Sequence, residues 1–180
     1  MSPEQYINIV DKTAIYPNRI EGIDFYSGED YSKSGLIGEF GEVCNKIKKI
    51  FRDEQGVYSK ETVQNLTKEL GDVYWYIAAL CKKEFNISFT SCFYSSRKLG
   101  FSDKKNYLFP NLYRCIAYIG QICTGGDEDN RESDICHLMN CLESVSNHFD
   151  ISVENILQEN YNKLSARLGN NTLQGSGDNR

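Results

Sequence analysis

Two short acidic strings carry the residues best suited to chemistry. Glu39 and Glu42 lie three apart inside Gly35-Leu36-Ile37-Gly38-Glu39-Phe40-Gly41-Glu42, and Glu69 and Asp72 repeat the spacing inside Glu69-Leu70-Gly71-Asp72. On a helix, residues three apart share a face, so each pair sets like charges against each other. A single pair of this kind is ordinarily a solvated helix face. Two pairs, both with glycine inside and apolar residues around them, suit another purpose. If the two helices pack antiparallel, four carboxylates with a charge of about −4 meet at one place, which disfavours folding unless a cation sits among them. All-oxygen ligands select Mg²⁺, with Mn²⁺ as a substitute, over zinc. Glycine costs roughly 1 kcal/mol relative to alanine within a helix. Gly35, Gly38 and Gly41 at steps of three therefore suggest that a backbone or ligand approaches closely.

Cationic and amide groups recur at helical spacing near these pairs. Lys46 follows Glu42 by four residues and Lys49 follows it by seven. Each suits an intrahelical ion pair or a phosphate contact equally well. Asn160, Lys163 and Arg167 share one face of the last helix and supply an amide donor and two cations. Tyr76 stands one turn after Asp72 on the same helix, whereas Trp75 is assigned to the core.

The elements that must position these residues read as helices throughout. Ser2-Pro3-Glu4 is a helix start, with a hydroxyl cap, an early proline and an acid in the first turn. That helix is expected to run to Thr13, ahead of Tyr16-Pro17, with a loop from Glu21 to Asp30. Apolar periodicity predicts helices over Tyr31–Arg52 and from Ser59 to Phe85. Further helices are predicted over Ser88–Leu99, Tyr107–Thr124, Ser133–Phe149 and Ser152–Leu168. The loop 125–130 and the tail 169–180 read as exposed. No strand pattern competes, so the expected class is all-α. Phe85-Asn86-Ile87-Ser88 returns as Phe149-Asp150-Ile151-Ser152, 64 residues on. Residues 90–149 are therefore either a degenerate duplication or inserted helices, and at that offset Ser133 and Cys136 stand where Glu69 and Asp72 stand in the first copy.

Composition narrows the function classes. The 180 residues, 40% hydrophobic and 25% charged, suffice for one domain with a real core and no disulfide staples. A net charge of −5 argues against wrapping nucleic acid by bulk electrostatics. No apolar run is long enough to span a membrane, and no signal-peptide pattern opens the chain. Seven cysteines without a CxxC pair read as reduced core thiols, and the expected location is the cytoplasm.

Glu39xxGlu42 followed by Glu69xxAsp72 resembles the ExxE…ExxD signature of MazG-like all-α nucleoside triphosphate pyrophosphohydrolases. The strings GLIGEFGEVCNKIKK and KELGDVYWYIAAL are similar to that family's metal-binding helices, and ENYNKLSARLGNNTLQGSGDNR is similar to its phage- and bacterial-type C-terminus. The resemblance covers residues 1–89 and 150–180. It implies a single domain, 1–180, with residues 90–149 as an addition to it, and Mg²⁺-dependent hydrolysis of a nucleoside triphosphate to monophosphate and pyrophosphate. Glu39, Glu42, Glu69 and Asp72 would hold metal, and Glu39 or Glu42 would orient the attacking water. Lys46, Lys49, Asn160, Lys163 and Arg167 would contact phosphates, and Tyr76 and the tail residue Arg180 would complete substrate binding. The compact members pair their two-helix units between subunits, which implies a homo-oligomer. If residues 90–149 supply that packing within one chain, a dimer is favoured over a tetramer. The same motifs would also serve a pyrophosphohydrolase of a phosphoribosyl nucleotide or an alarmone. A catalytically silent metal-binding interaction protein is the alternative of a different class.

Overall fold

The computed structural model describes residues 1–100, 107–125 and 128–173. Seven α-helices account for most of them: α1 Pro3–Thr13, α2 Gly28–Asp53, α3 Lys60–Ala79, α4 Phe89–Lys98, α5 Leu108–Thr124, α6 Arg131–His148 and α7 Val153–Gly169. The described residues form no β-strand, and the chain is all-α. Among them no helix is long and apolar enough to cross a membrane.

Five of the seven helices begin at a serine whose hydroxyl accepts the backbone N–H three residues on: Ser2, Ser27, Ser59, Ser88 and Ser152. Each satisfies one of the orphan donors of a first turn, typically worth about 1 kcal/mol. Ser2 with Gln5 and Ser27 with Asp30 close full capping boxes. The second box moves the start of α2 to Gly28, three residues ahead of the expected start at Tyr31. At its far end α3 widens into a π turn, Leu80–Glu84, within the span expected to be continuous helix. That turn directs Lys83 to the Ala14 carbonyl and Glu84 to the Tyr16 hydroxyl, 2.9 Å away.

Helices α2 and α3 pack along each other, as do α5 and α6. α4, which follows α3 in sequence, packs on α6, while α7, which follows α6, returns to α3. α1 fills the space against α3, α4 and α7. Leu36, Val43, Ile50, Leu66, Leu70, Val73, Leu138, Leu142, Val145 and Ile156 are fully buried between these layers. Burying such a side chain is worth about 1.5–3 kcal/mol. The seven cysteines are free thiols, five of them buried.

The 64-residue echo marks two corners of the same construction. Asn86 and Asp150 take left-handed conformations, with φ of 53° and 57°, a region that Asn and Asp tolerate better than other side-chain-bearing residues. The Ile87 N–H returns to the Cys81 carbonyl at 2.8 Å, and the Ile151 N–H to the Ser146 carbonyl at 3.1 Å. Ser88 and Ser152 then cap the next helices. The repeated tetrapeptide therefore has a local physical cause, a helix stop and a helix start joined by one isoleucine, Ile87 half-buried and Ile151 buried.

Candidate metal and nucleotide site

A cavity of about 720 Å³ opens between α2, α3, the end of α1 and the last turns of α7. Two contacts fix α2 and α3 as antiparallel: Lys46 bonds Glu69 at 3.2 Å, and the Tyr31 and Tyr76 rings lie 6.2 Å apart at the opposite end. In that register Tyr31, Glu39, Glu42 and Lys46 form one stripe of α2 facing Asn65, Lys68, Glu69, Asp72, Trp75 and Tyr76 of α3.

Glu39, Glu69 and Asp72 each present a carboxylate oxygen, all within 4.8 Å of one another, and all three residues are half-buried. Burial first, then Asp72 and Glu69, push the Glu39 carboxyl up to about 7, against a smaller opposing pull from Lys163. A carboxylate raised in this way lacks the countercharge it needs. Half-buried oxygen donors with an unmet charge fit a hard divalent cation. Glu42 lines the same cavity from a more exposed position, and its carboxylate lies outside that tight triad.

Neighbouring polar groups hold the carboxylates in place. The buried Asn160 amide donates to Asp72 at 2.9 Å, while its oxygen accepts the Tyr6 hydroxyl at 2.7 Å. Lys163 pairs with the same Asp72 oxygen. A Cβ on Gly71 would stand 2.9 Å from Asn160 Cβ, so the glycine inside the second acidic string admits α7 to α3 at closest approach. Gly35 has the same function against the Tyr76 ring, whereas Gly38 and Gly41 face open space and meet no neighbour. The close approach expected of Gly35, Gly38 and Gly41 thus occurs at Gly35 alone.

The two ends of the cavity differ in chemistry. Tyr16, Pro17, Tyr31, Trp75 and Tyr76 line one end. Tyr16 stacks on Tyr31 with centroids 4.5 Å apart, and its hydroxyl accepts from Ser32 at 2.8 Å and donates to Glu84. Trp75, assigned to the core from sequence, is 9% exposed and donates to the Thr13 hydroxyl at 2.9 Å, yet its edge still reaches the cavity. Lys46, Asn65 and Lys68 line the other end, and Arg167 lines the wall from α7, one turn beyond Lys163.

Of the residues singled out in sequence, Glu39, Glu42, Lys46, Glu69, Asp72, Tyr76, Lys163 and Arg167 therefore share one cavity wall. Asn160 lies behind it, bonded to Asp72. Lys49 is exposed and outside the lining, because it is turned away from the Glu39–Glu42–Lys46 stripe. Arg180 lies outside the described residues. Sequence reasoning missed Thr13, Tyr16, Tyr31, Asn65 and Lys68. Helical phase could have found three of them: Tyr31 is two turns ahead of Glu39, Asn65 one turn ahead of Glu69, and Lys68 one turn ahead of Asp72.

The chain is 29% identical over 168 residues to the Gene 37 protein of Mycobacterium phage L5, an alignment covering 93% of this chain and 90% of that protein. Since the alignment covers 93% of the chain, it extends through most of residues 90–149. No solved structure matches. Residues 28–105 match the family described as the MazG nucleotide pyrophosphohydrolase domain, a span that contains both acidic strings and the α2–α3 pair. Over that span the chain is similar to the MazG-like family.

Proposed function

We propose that this chain hydrolyses nucleoside triphosphates to nucleoside monophosphates and pyrophosphate with Mg²⁺, or Mn²⁺ in its place. The observation that carries this reading is the polarity of the cavity: aromatic rings at one end, a carboxylate cluster in the middle and cations beyond it. A nucleoside triphosphate has the same order of parts. Its base and sugar would lie toward Tyr16, Tyr31 and Tyr76, its α-phosphate beside the carboxylates, and its β- and γ-phosphates toward Lys46 and Lys68, with Lys163 and Arg167 as further phosphate contacts from α7. That register sets the α–β bond at the reactive centre, which favours pyrophosphate over phosphate as the leaving group.

Glu39, Glu69 and Asp72 would hold the metal, with Glu42 closing the set from the rim. When bound, the metal supplies charge neutralisation of the phosphates and makes a nearby water more acidic. Asn160 and Lys163 fix Asp72, so that its oxygens are oriented before any ligand arrives. Glu39 or Glu42 would accept the proton of the attacking water. Lys46 pairs with Glu69 and is well placed to turn to a phosphate oxygen once a cation takes over that carboxylate. Tyr76 would face the sugar or base. The reading assigns the protein to control or cleansing of the nucleotide pool.

In this reading α5 and α6 are a degenerate counterpart of α2 and α3 that completes the packing within one chain. The exchange of α4 and α7 between the two helix pairs supports it. It leads to a dimer with one site per chain, and a light-scattering mass of four subunits would contradict it. The reaction itself is tested by identifying products from a panel of ribo- and deoxyribonucleoside triphosphates incubated with protein and Mg²⁺. Monophosphate with pyrophosphate supports the reading. Diphosphate with phosphate, or no turnover by folded, metal-loaded protein, refutes it.

A further inference from the structure

The geometry points to Gly35 as a specificity-determining position that acts through Tyr76. A Cβ placed on Gly35 would stand 2.2 Å from both Cε1 and Cζ of Tyr76 and 2.7 Å from its hydroxyl, so the phenol lies flat in the space a side chain would occupy. Real Cβ atoms do not approach that closely, and the ring cannot absorb the difference by a small tilt. It is pinned from behind by Trp75, edge-on with centroids 4.8 Å apart, and flanked by Tyr31 at 6.2 Å. Burial and the proximity of Tyr31, Glu39 and Asp72 also keep its phenol protonated, as a neutral group between the aromatic end and the carboxylates.

Gly35 therefore sets where the Tyr76 ring stands, and the ring sets the width of the cavity where the nucleoside enters it. Nothing about metal binding requires a glycine here, since Glu39 projects from the next turn of α2. Alanine is the better helix former by roughly 1 kcal/mol, so local propensity does not account for the glycine either. The inference deepens the proposed function and rests on it for the identity of the ligand. The Gly35–Tyr76 seat stands on the coordinates alone.

A double-mutant cycle tests it: Gly35→Ala, Tyr76→Ala and the two combined, each compared with the unaltered protein. Gly35→Ala is expected to reduce the spread of kcat/KM across a nucleotide panel at least tenfold, mainly through KM, with Mn²⁺ affinity unchanged within twofold. It should also shift the emission of Trp75, the chain's single tryptophan, with no nucleotide present. In the Tyr76→Ala background the added alanine fits the vacated space, so Gly35→Ala should change neither selectivity nor emission further. Unchanged selectivity and emission in Gly35→Ala, or losses that add across the cycle, would overturn the inference. If Gly35→Ala does not fold, a folded double variant upholds the seat, and an unfolded one refutes it. If the unaltered protein turns over no nucleotide, the function reading fails, while the nucleotide-free emission of the four proteins still decides the Gly35–Tyr76 coupling.

Discussion

Replacing Glu39 by Gln should stabilise the metal-free protein at pH 8 and destabilise it, relative to the unaltered chain, once Mn²⁺ is present. Glu39 has its folded-state pKa raised from 4.5 to about 7, chiefly by burial and by Asp72 and Glu69. Between those values the folded state holds a proton that the unfolded chain has released, so stability falls as pH rises through the window. The full shift corresponds to a ceiling of about 3 kcal/mol at 1.36 kcal/mol per unit. Glu39 is only half-buried, and solvent screening reduces this to about 1–1.5 kcal/mol. For a chain of this length that is about 2–6 °C in Tm. Gln carries no titrating proton, so the advantage should be absent at pH 4, where Glu39 is neutral in both states, and should grow to its full size by pH 8. A cation that binds the folded state at a hundred times its Kd adds about 2.7 kcal/mol to the unaltered protein. The variant, with two of the three clustered carboxylates left, gains less. Differential scanning calorimetry from pH 4 to 8, in chelator and then in Mn²⁺, reads both effects. A variant less stable than the parent in chelator at pH 8, or a Tm gap independent of pH, would refute the assignment of Glu39 to an uncompensated carboxylate cluster.

Three further outcomes follow from the packing around the cavity. Asn160→Leu leaves the Tyr6 hydroxyl and the inner Asp72 oxygen without their shared amide; it should cost about 1–3 kcal/mol and weaken Mn²⁺ binding, as measured by denaturant unfolding and metal titration. Thr13→Val removes the buried acceptor of Trp75 Nε1 and should cost about 1–3 kcal/mol, with a change in tryptophan emission. Lys68→Met removes a cation from the pyrophosphate end and should raise KM for triphosphates with little effect on Tm, because Lys68 is exposed.

Much of this molecule was legible because helices announce themselves locally. Ser2, Ser59, Ser88 and Ser152 mark helix starts through a hydroxyl and its spacing, and the acidic strings declare a shared face through their period of three. What sequence could not supply was the phase of one helix against another. Lys46 reads as a partner for Glu42 along α2, but the antiparallel register carries it across to Glu69. Asn160 reads as one donor on a polar helix face, but it is buried between Tyr6 and Asp72 because Gly71 lets α7 in. Three glycines in step read as one stripe with one purpose, and only Gly35 has a neighbour to receive. The start of α2 was missed because Ser27 and Asp30 lie in a stretch whose glycines and acids look like loop. The capping box they close depends on both side chains turning back to the backbone.

The most direct test of the central claim is product analysis with ¹⁸O-labelled water, Mg²⁺ and the best nucleoside triphosphate of the panel. The expected result is pyrophosphate and a nucleoside monophosphate carrying the label, as attack at the α-phosphorus between the carboxylates and the Lys46–Lys68 end requires. Label in the pyrophosphate would place the attack at the β-phosphorus, and label in inorganic phosphate would place it at the γ-phosphorus. Either would contradict the register of substrate in the cavity.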